Sequence, residues 1–346
     1  MEELFITKIH IDNIRNLEHL KNIDIVLSET EKKHLILTGK NGCGKTSLLR
    51  TIKQYVEEHY KVKNNTKTQF FGENFLAHLC LTRDDPASDT LNDFNFNIKI
   101  DTNKRFKVND TIFVHIPADR FDLFDIPQTI EKIPVGWHSN SISKNYSNIL
   151  LKYMVYLRNQ MTEARIEQNC SAEVKTLEKW FGDFENILKK IYDIDELELK
   201  YDRKNLSFII KIPGHQPFGL NQMADGFFSF VKILTELMIR MDDYNDTIDF
   251  AKNAIVLIDE IETHLHIDLQ KKVLPILIEL FPNIQFIVTT HSPFVIASLE
   301  NAVAYDLEDN KVLENPSQFS YESIIEGYYG IEGSIDRLGV PPVSAI

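Results

Sequence analysis

Gly39-Lys40-Asn41-Gly42-Cys43-Gly44-Lys45-Thr46 follows the apolar run Leu35-Ile36-Leu37 and precedes a segment that puts Leu48, Leu49, Ile52 and Tyr55 on one helical face. The order reads strand, phosphate loop, helix. Gly39, Gly42 and Gly44 let the backbone around Asn41 and Cys43 turn its N–H groups inward on a polyphosphate, and the helix N-terminus adds positive potential. Lys45 then reaches the β and γ phosphates, and the Thr46 hydroxyl is placed to ligate Mg²⁺. The alternative, a glycine-rich turn with a chance Lys-Thr, lacks a reason for the strand before and the helix after. The stretch therefore reads as a nucleoside triphosphate site.

Working outward, 346 residues with 43% hydrophobic content suffice for a sizeable core in one large domain or two modest ones. A net charge of −13 argues against a surface that coats nucleic acid indiscriminately, so any such contact must be local. Cys43, Cys80 and Cys170 are widely spaced and contain no CxxC pair, which fits a reducing compartment without disulfides or structural zinc. Glu2 and Glu3 stand where a signal peptide would be basic, and no apolar run approaches about 18 residues. The expected setting is the cytoplasm, with no membrane partner.

Residues 4–11 and 23–27 pattern as strands ahead of the phosphate loop. Between them, Arg15 lies in a turn from which it could reach the nucleotide; a solvated loop arginine is the other reading. Beyond the loop helix, Phe94-Asn95-Phe96-Asn97-Ile98-Lys99-Ile100 and residues 111–116 predict strands of a β-rich lobe. Leu150, Met154, Leu157, Met161 and Ala164 then recur at helical spacing, and Val174, Leu177, Phe181, Phe184, Leu188 and Ile191 resume it after a break at 168–171. This rhythm predicts an antiparallel helix pair packed partly on the body. A hairpin around Asp202-Arg203-Lys204-Asn205 follows. The expected domains are 1–140 with the phosphate loop and β lobe, 141–195 as a helical arm, and 196–346 as the remainder of an α/β nucleotide-binding head.

Ala254-Ile255-Val256-Leu257-Ile258 reads as a strand buried on both faces, ending in Asp259-Glu260. At the carboxyl end of such a strand, Asp259 is placed to complete a Mg²⁺ shell and Glu260 to orient or deprotonate the attacking water. The pair could instead cap the next helix. A second buried run, Gln285-Phe286-Ile287-Val288-Thr289-Thr290, delivers His291-Ser292-Pro293 to the same edge, where His291 could bond a γ-phosphate or that water rather than serve structure alone. His264 and His266 do not face one another on a helix and have no third ligand nearby, so they are not read as a metal pair. Asp306 and Asp309 read as solvated turn acids.

Taken together, Gly-x-Asn-Gly-x-Gly-Lys-Thr with Asn13-Ile14-Arg15 upstream, Leu257-Ile258-Asp259-Glu260-Ile261-Glu262-Thr263-His264-Leu265-His266, and Ile287-Val288-Thr289-Thr290-His291-Ser292-Pro293 resemble the RecF/OLD/SMC branch of ABC-type ATPases. Within it the chain is similar to the stand-alone ATPase subunits of bacterial anti-phage systems, Septu and the retrons. The resemblance covers residues 1–60 and 215–307. It implies an ABC/SMC-type head that takes ATP and Mg²⁺ and dimerises around them, each site being completed in trans by a signature segment. Met223-Ala224-Asp225-Gly226-Phe227 matches that segment with two departures: Ala224 replaces the serine that touches the γ-phosphate, and Phe227 replaces an acid. The trans contact would then rest on the Gly226 backbone, with Asn221 or Gln222 as further candidates, and with slow or gated hydrolysis.

The expected function is an ATPase that assembles as a homodimer or higher homo-oligomer and regulates a separate effector, an HNH-type nuclease in anti-phage defence. OLD-type members carry a further nuclease domain, for which too few residues follow Asn315. Two other classes stay open: a DNA-repair or end-sensing ATPase in contact with nucleic acid, and an ATP-stabilised scaffold with negligible turnover. Cys43 has two readings, a thiolate favoured by Lys45 and the helix N-terminus, or a small buried filler.

Overall fold

The structure, a computed structural model, describes residues 4–14, 21–64, 96–103, 112–120, 122–130, 147–166, 171–241, 252–321 and 323–324. Its strands are β1 (Ile6–Ile14), β2 (Ile23–Val26), β3 (His34–Thr38), β4 (Phe96–Thr102), β5 (Ile112–Ile116), β6 (Glu198–Asp202), β7 (Ser207–Lys211), β8 (Phe218–Gly219), β9 (Ala254–Ile258), β10 (Ile284–Thr289), β11 (Ala302–Asp306) and β12 (Lys311–Glu314). Its helices are α1 (Lys45–Asn64), α2 (Leu150–Ile166), α3 (Ser171–Tyr192), α4 (Asp225–Met241), α5 (Ile267–Leu280) and α6 (Pro293–Ile296). The chain divides into two compact units. One comprises Lys107–Ile258 and Glu262–Ile284; the other comprises Glu2–Phe106, Asp259–Ile261 and Gln285–Ile346.

The second unit carries the phosphate loop. Its sheet has the order β12-β11-β3-β10. β3 is parallel to β10, with Leu37 opposite Thr289, and parallel to β11, with Thr38 opposite Asp306. Every residue of β3, β10 and β11 is buried, as expected of parallel strands covered on both faces. These registers bring the carboxyl ends of the three strands to one edge, where ligands bind in open α/β sheets. α1 buries Leu48, Leu49, Ile52 and Tyr55, the face its spacing predicts.

A second sheet in this unit has the order β2-β1-β4, antiparallel throughout. β1 extends through Ile14, so Asn13 and Ile14 pair with β4 rather than forming a turn; Arg15 lies outside the described residues. Gln285, fully buried at the start of β10, joins the two sheets. Its Oε1 accepts from the Ile6 N–H at 2.7 Å, and its Nε2 donates to the carbonyls of Ile6 at 2.9 Å and Lys33 at 2.8 Å. Beside it, His34 accepts the Phe286 N–H at Nδ1 (3.1 Å), and burial pushes its imidazole down to about 3, so the ring stays neutral.

In the first unit, β5 and β9 pair in parallel, Ile116 opposite Ile258. From Phe228 to Met241 every residue of α4 is buried, including the polar Ser229, Lys232, Thr235, Glu236 and Arg240. Buried charged groups of the helix have partners. Arg240 donates through Nε to Glu236 at 2.7 Å, and Lys232 donates to Asn148 at 2.6 Å with its ammonium 5.2 Å from the Phe228 ring. The predicted helix pair is α2 and α3, joined through Tyr153 edge-on to Trp180, whose ring also stacks on Phe184 of its own helix. The predicted hairpin is β6–β7, its turn held by Asp202 accepting from the N–H groups of Lys204 and Asn205; β8 adds a third strand. No helix among the described residues is long and apolar enough to cross a membrane.

Replacing Gln285 by leucine removes its bond from one buried N–H and its bonds to two carbonyls. Gln285→Leu is expected to lower unfolding free energy by about 2–4 kcal/mol in urea denaturation. A loss below about 0.5 kcal/mol would show that the inter-sheet bonds are replaceable.

Candidate functional site

The phosphate loop leaves β3 at the shared edge. Gly39 and Gly42 take φ values of +128° and +87°, in the left-handed region that L side chains avoid. A Cβ on Gly39 would lie 2.7 Å from Cys43 Sγ and 3.1 Å from Asp306 Oδ1, so the position is closed to larger residues. A Cβ on Gly42 would meet nothing within 4 Å, and the backbone there faces open space. α1 begins at Lys45, so the loop feeds directly into a helix N-terminus.

Lys45 is buried with its Nζ folded over the loop. It donates to the carbonyls of Gly39 at 2.7 Å and Lys40 at 3.0 Å, and lies 3.7 Å from Cys43 Sγ. Thr46 Oγ1 donates to Asp259 Oδ1 at 3.1 Å, although the two are far apart in sequence. The side chain of Thr289 meets the same carboxylate oxygen at 2.6 Å, and its Oγ1 also accepts the Glu260 N–H at 2.7 Å. Glu260 holds φ of +44°, a non-glycine left-handed backbone that costs on the order of 1 kcal/mol and tends to occur where function demands it.

His291 follows β10 at the same edge, partly exposed, ahead of Ser292, which caps α6 by accepting from the N–H groups of Phe294 and Val295. Thr290, between β10 and His291, donates its N–H to Leu37 and accepts the Ser292 N–H, tying this segment to β3. The loop, Asp259, Glu260 and His291 thus all belong to the unit that holds β3 and β10.

Asp306 departs from its expected solvated state. It is buried at the end of β11, accepts the N–H groups of Glu308 and Asp309, and backs onto Gly39. Asp309, the other acid expected to be solvated, is exposed. Glu308 reaches the loop itself, accepting from Lys40 Nζ at 2.7 Å and from the Lys40 N–H at 3.3 Å. This pair holds the Glu308 carboxyl below, and the Lys40 ammonium above, their ordinary values.

In the other unit, α4 starts at Asp225, three residues earlier than its apolar pattern, so Gly226 occupies its first turn. A Cβ on Gly226 would stand 2.9 Å from the His264 carbonyl oxygen and 3.4 Å from the His266 nitrogen. Its smallness lets the helix approach the turn at 264–266. Phe227 stacks on Tyr192 with centroids 4.0 Å apart, so the departure from an acid serves packing within the unit. Sequence reading passed over Arg120. It is buried, donates through Nη1 to the Pro117 carbonyl at 2.6 Å, and lies 3.4 Å from Ser229 Oγ, which itself donates to the Thr263 carbonyl.

The donor set fits a magnesium nucleoside triphosphate. Hard oxygen groups, Thr46 Oγ1 and Asp259 Oδ1, converge beside a buried ammonium and a helix N-terminus. Cys43 is not the exposed thiolate that its neighbours suggested. It is buried, and desolvation pushes its thiol up despite the opposing Lys45 charge. Iodoacetamide is therefore expected to label Cys43 far more slowly in the native protein than after urea unfolding, by mass spectrometry of the loop peptide. Equal rates would restore the thiolate reading. Cys80 and Cys170 lie outside the described residues.

Comparison with known proteins places this geometry in a family. Septu protein PtuA of Bacillus mycoides (strain KBAB4) is 26% identical over 329 residues, 92% of this chain and 42% of that protein; the chain thus spans less than half of PtuA. Retron Vc95 probable ATPase of Vibrio cholerae serotype O1 biovar El Tor is 21% identical, covering 84% of this chain and 72% of that protein. Among solved structures, an SMC head bound to the C-winged helix domain of ScpA superposes with a TM-score of 0.44 at 13% identity, covering 91% of this chain and 100% of that one. Residues 35–297 match the family described as AAA domain, putative AbiEii toxin, Type IV TA system, and the chain belongs to that family.

Proposed function

We propose that this protein binds and hydrolyses ATP with Mg²⁺ at the edge formed by residues 39–46, Asp259, Glu260 and His291. The observation that carries the reading is the 3.1 Å contact between Thr46 Oγ1 and Asp259 Oδ1, two hard ligands from distant parts of the chain beside the buried Lys45. Bound Mg²⁺ would neutralise charge developing on the β and γ oxygens.

The chain's own groups supply the rest. Lys45 exchanges its two loop carbonyls for phosphate oxygens, so its ammonium leaves one polar shell for another and stays paired. Loop N–H groups and the α1 N-terminus hold the phosphates in register. Glu260 orients the attacking water and takes its proton, with its carboxylate aimed by a constrained backbone. His291 bonds the γ-phosphate or the water from the neighbouring strand end.

The same reading extends to assembly. Two copies sandwich the nucleotide, with the segment 223–227 of one facing the phosphate loop of the other and the Gly226 backbone making the contact. Ala224 offers no hydroxyl there, which supports slow turnover. The kinship with PtuA and a retron ATPase supports a role in anti-phage defence, in which the ATP state of the assembly controls a separate effector such as an HNH-type nuclease.

Lys45→Ala is expected to abolish ATP binding, whereas Glu260→Gln keeps binding and accumulates an ATP-bound assembly with turnover reduced about 100-fold or more. Nucleotide titration, phosphate release and light scattering of both variants decide the matter. Wild-type turnover in Glu260→Gln would remove the base assignment, and unchanged binding in Lys45→Ala would remove the site.

A further inference from the structure

We propose that Thr289 is a positioning residue that sets the metal carboxylate and the water-orienting acid together, through one hydroxyl. The inference rests on the reading of Asp259 and Glu260 given above and adds to it a residue to which that reading gave no role.

Thr289 ends β10 and is fully buried. A hydroxyl has one proton to give and lone pairs to accept with. The Glu260 N–H can only donate, so at 2.7 Å it occupies a Thr289 Oγ1 lone pair, and the single hydroxyl proton is committed to Asp259 Oδ1 at 2.6 Å. The main chain adds a third tie, because the Ile261 N–H donates to the Thr289 carbonyl at 3.1 Å. Three consecutive residues, Asp259, Glu260 and Ile261, are thereby pinned to one.

Each tie has its own effect. Asp259 Oδ1 receives hydroxyl donors from α1 through Thr46 and from β10 through Thr289, which fixes the rotation of the carboxylate before metal arrives. The bond to the Glu260 N–H offsets the strain of its left-handed backbone, and so fixes where the side chain starts. Valine at 289 keeps the β-branch and the bulk but forfeits both hydroxyl bonds; serine keeps the bonds and forfeits the methyl.

The test compares Thr289→Val and Thr289→Ser with wild type. Mn²⁺ binding in the presence of a non-hydrolysable ATP analogue is read by electron paramagnetic resonance, and phosphate release under steady state is measured beside it. Thr289→Val should weaken Mn²⁺ binding and lower kcat by about 10- to 100-fold each, with KM for ATP little changed, while Thr289→Ser stays close to wild type. Should Thr289→Val fail to fold by circular dichroism, Thr289→Ala carries the same comparison. Wild-type Mn²⁺ affinity in Thr289→Val, or equal impairment in Thr289→Ser, would overturn the proposal. A wild-type protein that binds Mn²⁺ yet releases no phosphate removes the hydrolysis reading alone, and the Mn²⁺ comparison still decides for or against Thr289.

Discussion

One carboxylate oxygen, Asp259 Oδ1, accepts from two hydroxyls that enter from different elements, Thr46 at the start of α1 and Thr289 at the end of β10. Much of the unit around it can be understood as what is needed to bring those three groups within about 3 Å. Parallel pairing of β3 with β10 and β11 aligns their carboxyl ends. Full burial of those strands makes the edge rigid, and the glycines of the loop let the backbone turn into α1 without a side chain in the way.

The arrangement stores polarity where a charged ligand is expected. Lys45 is buried but satisfied by loop carbonyls, and Asp306 is buried but satisfied by turn N–H groups. Neither costs the fold an unpaired charge, and Lys45 can change partners without exposure. Glu308 and Lys40 do the same at the rim, where solvent screens their pair and its worth to stability is small.

Much of this was legible in the sequence because local chemistry decides it. Gly39 to Thr46, the apolar β9 ending in Asp259-Glu260, and the helix pair each declare themselves within a short window, by spacing or by run length. What escaped depends on long-range register. Asp306 looked like a solvated acid because it precedes Leu307-Glu308-Asp309-Asn310, a turn by composition; its burial follows from lying opposite Thr38 in a parallel pair, which no local pattern encodes. Thr289 looked like one more β-branched strand residue, although the two adjacent threonines at the carboxyl end of β10 were a signal available to be read. Of the two readings of Cys43 the buried filler holds: the positive neighbours are sequence-near, whereas the desolvation that outweighs them is a property of the folded loop. Arg120 is tied to Ser229 and through it to Thr263, partners distant in sequence.

The proposed site stands or falls on where phosphate and metal bind. A crystal structure of the protein with Mg²⁺ and a non-hydrolysable ATP analogue is the direct measurement. It should show Lys45 Nζ turned from the Gly39 and Lys40 carbonyls onto the β and γ phosphates, with the metal between Thr46 Oγ1 and Asp259. Nucleotide bound elsewhere, or a metal that leaves the Thr46–Asp259 hydrogen bond untouched, would contradict it.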